Sequence, residues 1–375
     1  MFYIGGIALA FFLNLLLLSK SKKTTADKVL ALWLLVITIH LMFFYFWKAK
    51  LFPELLGLQL PIPLLHGPLL FLYTVSLTKG GLPRMWSLHF VPFLAEIIYL
   101  IPFFMLPAAH KVFVFENEGV GYETFNLINS FAVMTSGVVY VIMSIIALTR
   151  HRRLILQVFS STDKINLQWL QYLIYWIGLI WIFVIFGNDD WIFAAAVLFV
   201  VFIGFFGIRQ VGIFSTSSNR LATTHAEDNL FSTAVPLEPP SPETSEKRKY
   251  KKSGLTMDHS EILHRSLSFI MSNEKLYRDS ELSLATLANR LDTQPNYLSQ
   301  VINEREGKNF YDYVNTIRIE EFKRLAANPE SRKFTLLALA QECGFNSKSS
   351  FNRYCKKVTG KSPSDFIQTV PDAVN

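Results

Sequence analysis

Lys348, Ser349, Asn352, Arg353, Lys356 and Lys357 crowd into ten residues near the C-terminal end. If 347 to about 358 is a helix, Phe351 with Tyr354 or Cys355 falls on its apolar face and those six residues on the other. A guanidinium fork matches O6 and N7 of guanine, which makes Arg353 the best single candidate for reading a base edge. The lysines suit phosphate oxygens, a contact that carries affinity without sequence information. A second polar face lies upstream. A helix from Pro295 to about Arg305 buries Leu298, Val301 and Ile302 and leaves Asn296, Ser299, Gln300 and Asn303 exposed. Amides pair well with adenine, which suits Asn296 and Gln300. The plain alternative is that these are solvated helix faces.

Each face needs a support helix and a tight turn. From about Asp258, Ile262, Leu263, Leu267 and Ile270 recur at helical spacing. Leu284 to Leu291 predicts a short helix capped by Ser283. Asp292-Thr293-Gln294 then makes a turn, and Pro295 sits at a first helical position where its missing N–H costs nothing. Gly307 ends the polar helix, and a helix of about 18 residues runs from Phe310 to Ala327. The pattern then repeats: a support helix at 336–340, a turn at Gly344 that needs positive φ, Asn346 or Ser347 as cap, and the basic helix. Gly360 closes it, and Ser362-Pro363 starts a last short helix. The connecting helix, roughly 27 Å long, can hold two helix-turn-helix units about one DNA turn apart, so that one chain reads adjacent major grooves.

Leu282-Ser283-Leu284-Ala285-Thr286-Leu287-Ala288 and Leu339-Ala340-Gln341-Glu342-Cys343-Gly344-Phe345, with the run from Ser347 through Lys356-Lys357-Val358-Thr359-Gly360-Lys361-Ser362-Pro363, resemble the AraC/XylS family. The resemblance covers about 100 residues. It implies a seven-helix domain that binds specific double-stranded DNA, often beside RNA polymerase, to activate or repress transcription. Position by position, it implies that the base-facing residues are Asn296, Ser299 and Gln300 in the first unit and Ser349, Ser350 and Arg353 in the second. Asp292 stands where the family usually has Gly, and Cys355 where a Phe usually packs. Charge separates the two units: 333–361 carries a net +5 and 281–306 a net −2, so phosphate attraction is expected mainly from the second.

The rest of the chain is of another kind. Of 375 residues, 51% are hydrophobic and 33 are Phe, and this excess lies almost wholly before about residue 213. Seven apolar runs approach the length of a bilayer crossing: about 2–18, 29–47, 58–78, 86–107, 125–148, 168–187 and 191–213. The first lacks a basic leader and a cleavage site, and reads as a retained span. Lys20, Lys22, Lys23 and Lys28, then Lys79 and Arg84, then Arg150, Arg152, Arg153 and Lys164 crowd the odd loops, against only Lys48, Lys50 and Lys111 in the even ones. The positive-inside rule therefore puts the N-terminus outside and the C-terminus inside. Trp47, Trp86, Trp169 and Trp191 fall at span ends, as interfacial aromatics do. The expected architecture is all-α: a seven-helix transmembrane bundle over 1–213, a polar, proline-rich and basic linker over 214–255, and a cytoplasmic double helix-turn-helix domain over 256–375. The expected location is a bacterial inner membrane.

Within the spans, His40, His66 and Glu96 sit about 10–16 Å below the outer ends. Ionisable groups at that depth are candidate sensor residues. They could converge on a polar pocket for a small or lipidic ligand, a proton or a metal, or each be satisfied singly. No HExxH spacing, phosphate-binding glycine loop or Ser-His-Asp arrangement occurs, so an enzyme is not expected, nor a cofactor or resident metal. Two cysteines, Cys343 and Cys355, read as buried small side chains. Three readings remain: a membrane-embedded transcription regulator, possible as a homodimer and in contact with membrane lipid; a transporter or membrane enzyme with a fused autoregulatory DNA-binding domain; and a chromosome anchor without sequence preference.

Overall fold

The computed structural model describes residues 2–163, 165, 167–209 and 256–368. The linker expected at 214–255, with its basic run, lies outside the described residues, as does Lys164. Among the described residues the fold is helical with no strand, as expected; one isolated antiparallel bridge joins Phe159 and Ser283. The chain forms two compact units, 1–149 with 167–235 and 150–166 with 236–375.

The first unit contains α1 (Phe2–Ser19), α2 (Thr25–Lys48), α3 (Pro63–Lys79), α4 (Val91–Phe104), α5 (Ala108–Glu116), most of α6 (Glu123–Val158), α7 (Gln168–Phe186) and α8 (Asp189–Arg209). A capping box starts α2: Thr24 Oγ1 accepts from the Asp27 amide at 3.1 Å, and the Asp27 carboxylate accepts from the Thr24 amide at 2.7 Å. Asp27 also pairs with Lys20 at 2.8 Å, both buried, so Lys20 is not the free surface charge that the loop pattern suggests. The core gathers Leu17, Trp33, Leu34, Leu70, Leu170, Ile174, Phe199 and Val200. Helices approach closely at small residues. A Cβ on Gly137 would collide with the Trp181 ring, and one on Gly67 with Tyr140. Phe131, Leu127, Ile98 and Phe186 stand exposed, as apolar side chains facing lipid would.

Among the described residues, five helices are long and apolar enough to cross a membrane: 25–48, 86–104, 123–158, 168–186 and 189–206. The first expected span is a shorter apolar helix, and the third is reduced to the 17 residues of α3 because 51–62 is taken up by turns. Periodicity did not reveal α5, which lies in what reads as a polar loop. Trp86 and Trp191 are exposed, whereas Trp169 is buried against Tyr73 as a core residue.

The second unit contains the end of α6, α9 (Met257–Asn273), α10 (Leu284–Arg290), α11 (Pro295–Glu306), α12 (Phe310–Ala327), α13 (Leu336–Glu342), α14 (Lys348–Thr359) and α15 (Pro363–Gln368). It has two cores, and α12 serves both. Phe310, Tyr313 and Val314 complete one with Leu267, Leu284, Leu287, Leu298 and Ile302. Tyr311, Ile319, Phe322 and Leu325 complete the other with Leu339, Phe345, Phe351 and Cys355.

Candidate nucleic-acid interface

The first helix-turn-helix is α10, a turn, and α11. Ser283 Oγ accepts from the Thr286 amide at 3.1 Å and caps α10. Asp292 adopts φ 49° in the turn, the left-handed conformation that its place in the motif requires. Pro295 opens α11 and Gly307 closes it at φ 64°. Asn296 is exposed and Ser299 half-buried. Gln300 departs from the expectation of an exposed face, being 6% exposed. It lies beside the buried Val301, and its amide runs along its own helix to Glu304, 3.0 Å away. Helix α9 packs on α11 through Glu261–Arg305 at 3.2 Å and His264–Glu306 at 2.8 Å.

The second unit follows the same plan. Thr335 caps α13, Gly344 turns the chain at φ 97°, and Ser347 is the residue that caps α14, accepting from the Ser350 amide at 3.1 Å. Phe351, Tyr354 and Cys355 are all buried, so the sulfur at 355 fills the place that the resemblance assigns to a ring. Burial pushes the Cys343 thiol up to about 12 and also raises that of Cys355. Both are free cysteines, held as inert core side chains.

The outer face of α14 exposes Lys348, Ser349, Asn352, Arg353, Lys356 and Lys357, as expected. Arg353 Nη2 lies 3.1 Å from the Tyr311 hydroxyl, which steadies the fork on α12. Lys357 is held by Asp312 at 2.6 Å and so is partly neutralised. Ser350 is buried rather than open to a groove, and its hydroxyl donates to Asp163.

Beneath both motifs lies a polar centre that sequence reasoning missed. Arg318 on α12 is 1% exposed. Its guanidinium donates to the carbonyls of Tyr277 and Asp279, each at 2.7 Å, and of Ser160 at 3.2 Å. Desolvation lowers this guanidinium to about 10, still well above neutral. Glu321, one turn on, accepts from Arg278 at 2.6 Å and Arg324 at 2.7 Å. Hydrogen bonding from Arg324 first, and then from Arg278, holds its carboxyl down at about 2 against the cost of burial. Periodicity marks residue 318 only as a core-facing position and offers no sign of its backbone partners.

In the first unit, His40 and His66 do meet. Trp33 Nε1 donates to His66 Nδ1 at 3.2 Å, which leaves the proton on His66 Nε2 to be donated to His40 Nδ1, 3.0 Å away. The rings stack with centroids 5.2 Å apart. Glu96 is buried, and its Oε1 has no hydrogen-bond partner among the described residues. Among the described residues no hydrogen bond joins it to either histidine, so of the three candidate sensor residues only His40 and His66 are hydrogen-bonded to each other. Among the described residues no group of three or more His, Cys, Asp or Glu is arranged to hold a metal.

Residues 287–369 match a helix-turn-helix domain family. The chain is 30% identical over 90 residues to the uncharacterized HTH-type transcriptional regulator YtdP of Bacillus subtilis (strain 168), a match covering 24% of this chain and 11% of that protein. It is 32% identical over 89 residues to the uncharacterized HTH-type transcriptional regulator YobQ of the same organism, covering 24% of this chain and 36% of that protein. No solved structure matches. The chain thus aligns with well under half the length of either relative, and the C-terminal part carries an AraC-type helix-turn-helix domain like those of transcriptional regulators.

Proposed function

We propose that this protein is a membrane-embedded transcription regulator that reads specific double-stranded DNA through α11 and α14 and receives its signal through the apolar unit. The observation that carries the reading is α12. One helix completes both cores, so two reading helices are fixed on one rigid element. In this reading Asn296 and Ser299 read from α11, with Gln300 contributing through Glu304 and helix position. From α14, Arg353 reads guanine, Ser349 and Asn352 line the groove with Ser350 buried behind them, and Lys348, Lys356 and Lys357 hold phosphates. The apolar unit crosses the cytoplasmic membrane seven times, with the domain on the DNA side. Its signal is small, lipidic or delivered by a membrane partner, and His40 and His66 are the polar groups placed to feel it. The two relatives are HTH-type transcriptional regulators by name, which favours a regulator over an enzyme.

Genome-wide occupancy of the full-length protein would identify its sites, and Arg353→Ala tests the readout. The expected outcome is a loss of about 1–3 kcal/mol with relaxed preference at one base position. A uniform loss across all duplexes would instead favour an anchor without sequence preference. Unchanged induction of target genes in a His66→Ala variant that has lost transport or turnover would favour the fused transporter or enzyme.

A further inference from the structure

Residues 159–163 follow the end of α6 and belong to the same compact unit as the DNA-reading domain, although they precede it by some hundred residues in the chain. They are built into that domain. Phe159 bridges to Ser283, the cap of α10. Ser160 is 1% exposed: its amide and hydroxyl both donate to the Leu282 carbonyl, at 3.2 and 2.6 Å, and its own carbonyl accepts from Asn315 at 2.9 Å and Arg318 at 3.2 Å. Ser161 donates to Asn346 at 3.1 Å. Asp163 then spreads its carboxylate over the start of α14: Oδ2 accepts from Ser347 Oγ at 2.6 Å and Oδ1 from Ser350 Oγ at 2.5 Å.

That is where a recognition helix presents its first turn to the major groove. The amides and hydroxyls at such a helix start favour an anion. Here the anion is a carboxylate from the chain itself. It ties up Ser350, which in turn lies 3.4 Å from Arg353 Nη2. A duplex seated on α14 would bring its phosphates and base edges against this carboxylate, and like charges would repel. We infer that residues 159–163 form a latch that competes with DNA for the first turn of α14, so that the domain binds DNA when the latch lets go. This rests on the DNA-reading function proposed above and adds its control. Helix α6 runs unbroken to Val158, so a displacement of α6 reaches the latch through one peptide bond.

The test uses the full-length chain in lipid nanodiscs, with labelled duplexes recovered from a random-sequence pool by the Asp163→Ala variant and binding read by fluorescence anisotropy. Asp163→Ala is expected to bind these at least about tenfold more tightly than the unmodified chain, the gain when a latch closed about nine-tenths of the time is removed. A second variant locks it: Ser161→Cys with Asn346→Cys, oxidised, is expected to bind at least about tenfold more weakly than when reduced. Equal affinity of Asp163→Ala and the unmodified chain, together with equal affinity of the oxidised and reduced pair, would overturn the latch while leaving the DNA-reading function intact. If no variant prefers any duplex over random DNA, the DNA-reading function fails, and the latch with it.

Discussion

Glu321 shows how a single carboxylate can tie a domain together. It collects Arg278 and Arg324 and approaches Lys275 at 3.7 Å, linking the segment before α10 to α12. Its carboxyl is held at about 2, below the ordinary 4.5, so its contribution is fully present above about pH 4.5 and is lost as pH falls through the folded value. Its partners remain partly open to water, which screens the pair, so Glu321→Gln should cost about 1–2 kcal/mol at pH 7. The gap between variant and unmodified chain should narrow steadily between pH 4.5 and 2, in urea unfolding followed by circular dichroism. A gap of the same size at pH 7 and pH 2 would show that Glu321 acts by shape rather than charge. Single residues were legible in the sequence where backbone conformation or helical register decides them: Asp292, Gly344, Ser347 and Gly360 all do what their spacing implies. They were illegible where a long-range partner decides. Ser350 sits at a position that a bare helix would expose, and nothing local announces Asp163 as its partner.

Among the elements, the two turns of the helix-turn-helix units differ in what they tolerate. Gly344 needs its left-handed φ and also has no room for a side chain, since a Cβ there would press on the Tyr277 carbonyl oxygen and Arg318 Nε. Gly307 shares the positive φ but faces open space. Gly307→Ala should therefore cost about 1 kcal/mol, from conformation alone. Gly344→Ala should cost about 2–4 kcal/mol, because backbone must also shift around the buried guanidinium. Comparable unfolding midpoints for the two variants would mean that the Gly344 turn adapts freely. The helices of the second unit were readable in the sequence to within a residue or two, because caps, glycines and prolines punctuate them. The apolar unit was less so. Uniformly hydrophobic runs give no period to fix their ends, and so α6 extends ten residues past the expected end of its span, and α5 goes unmarked.

For the whole molecule, the contact between residues 159–163 and the reading domain changes what cutting the chain would do. Composition marks 214–255 as the natural site for a protease. Before a cut, the two sides of that contact share one polypeptide, and each meets the other at an effective concentration on the order of 1 mM. A contact with an intrinsic dissociation constant of about 0.1 mM is then about nine-tenths occupied; between separate molecules at about 1 µM it is nearly empty. Cleavage in 214–255, through an inserted protease site, should therefore raise duplex binding by about the same tenfold as Asp163→Ala, and the two changes together should add nothing further. Additive effects would show that the tether acts on DNA binding by some route other than this contact. In the proposed latch the contact inherits part of its occupancy from chain connectivity, and whether the polypeptide is continuous becomes an input to DNA binding.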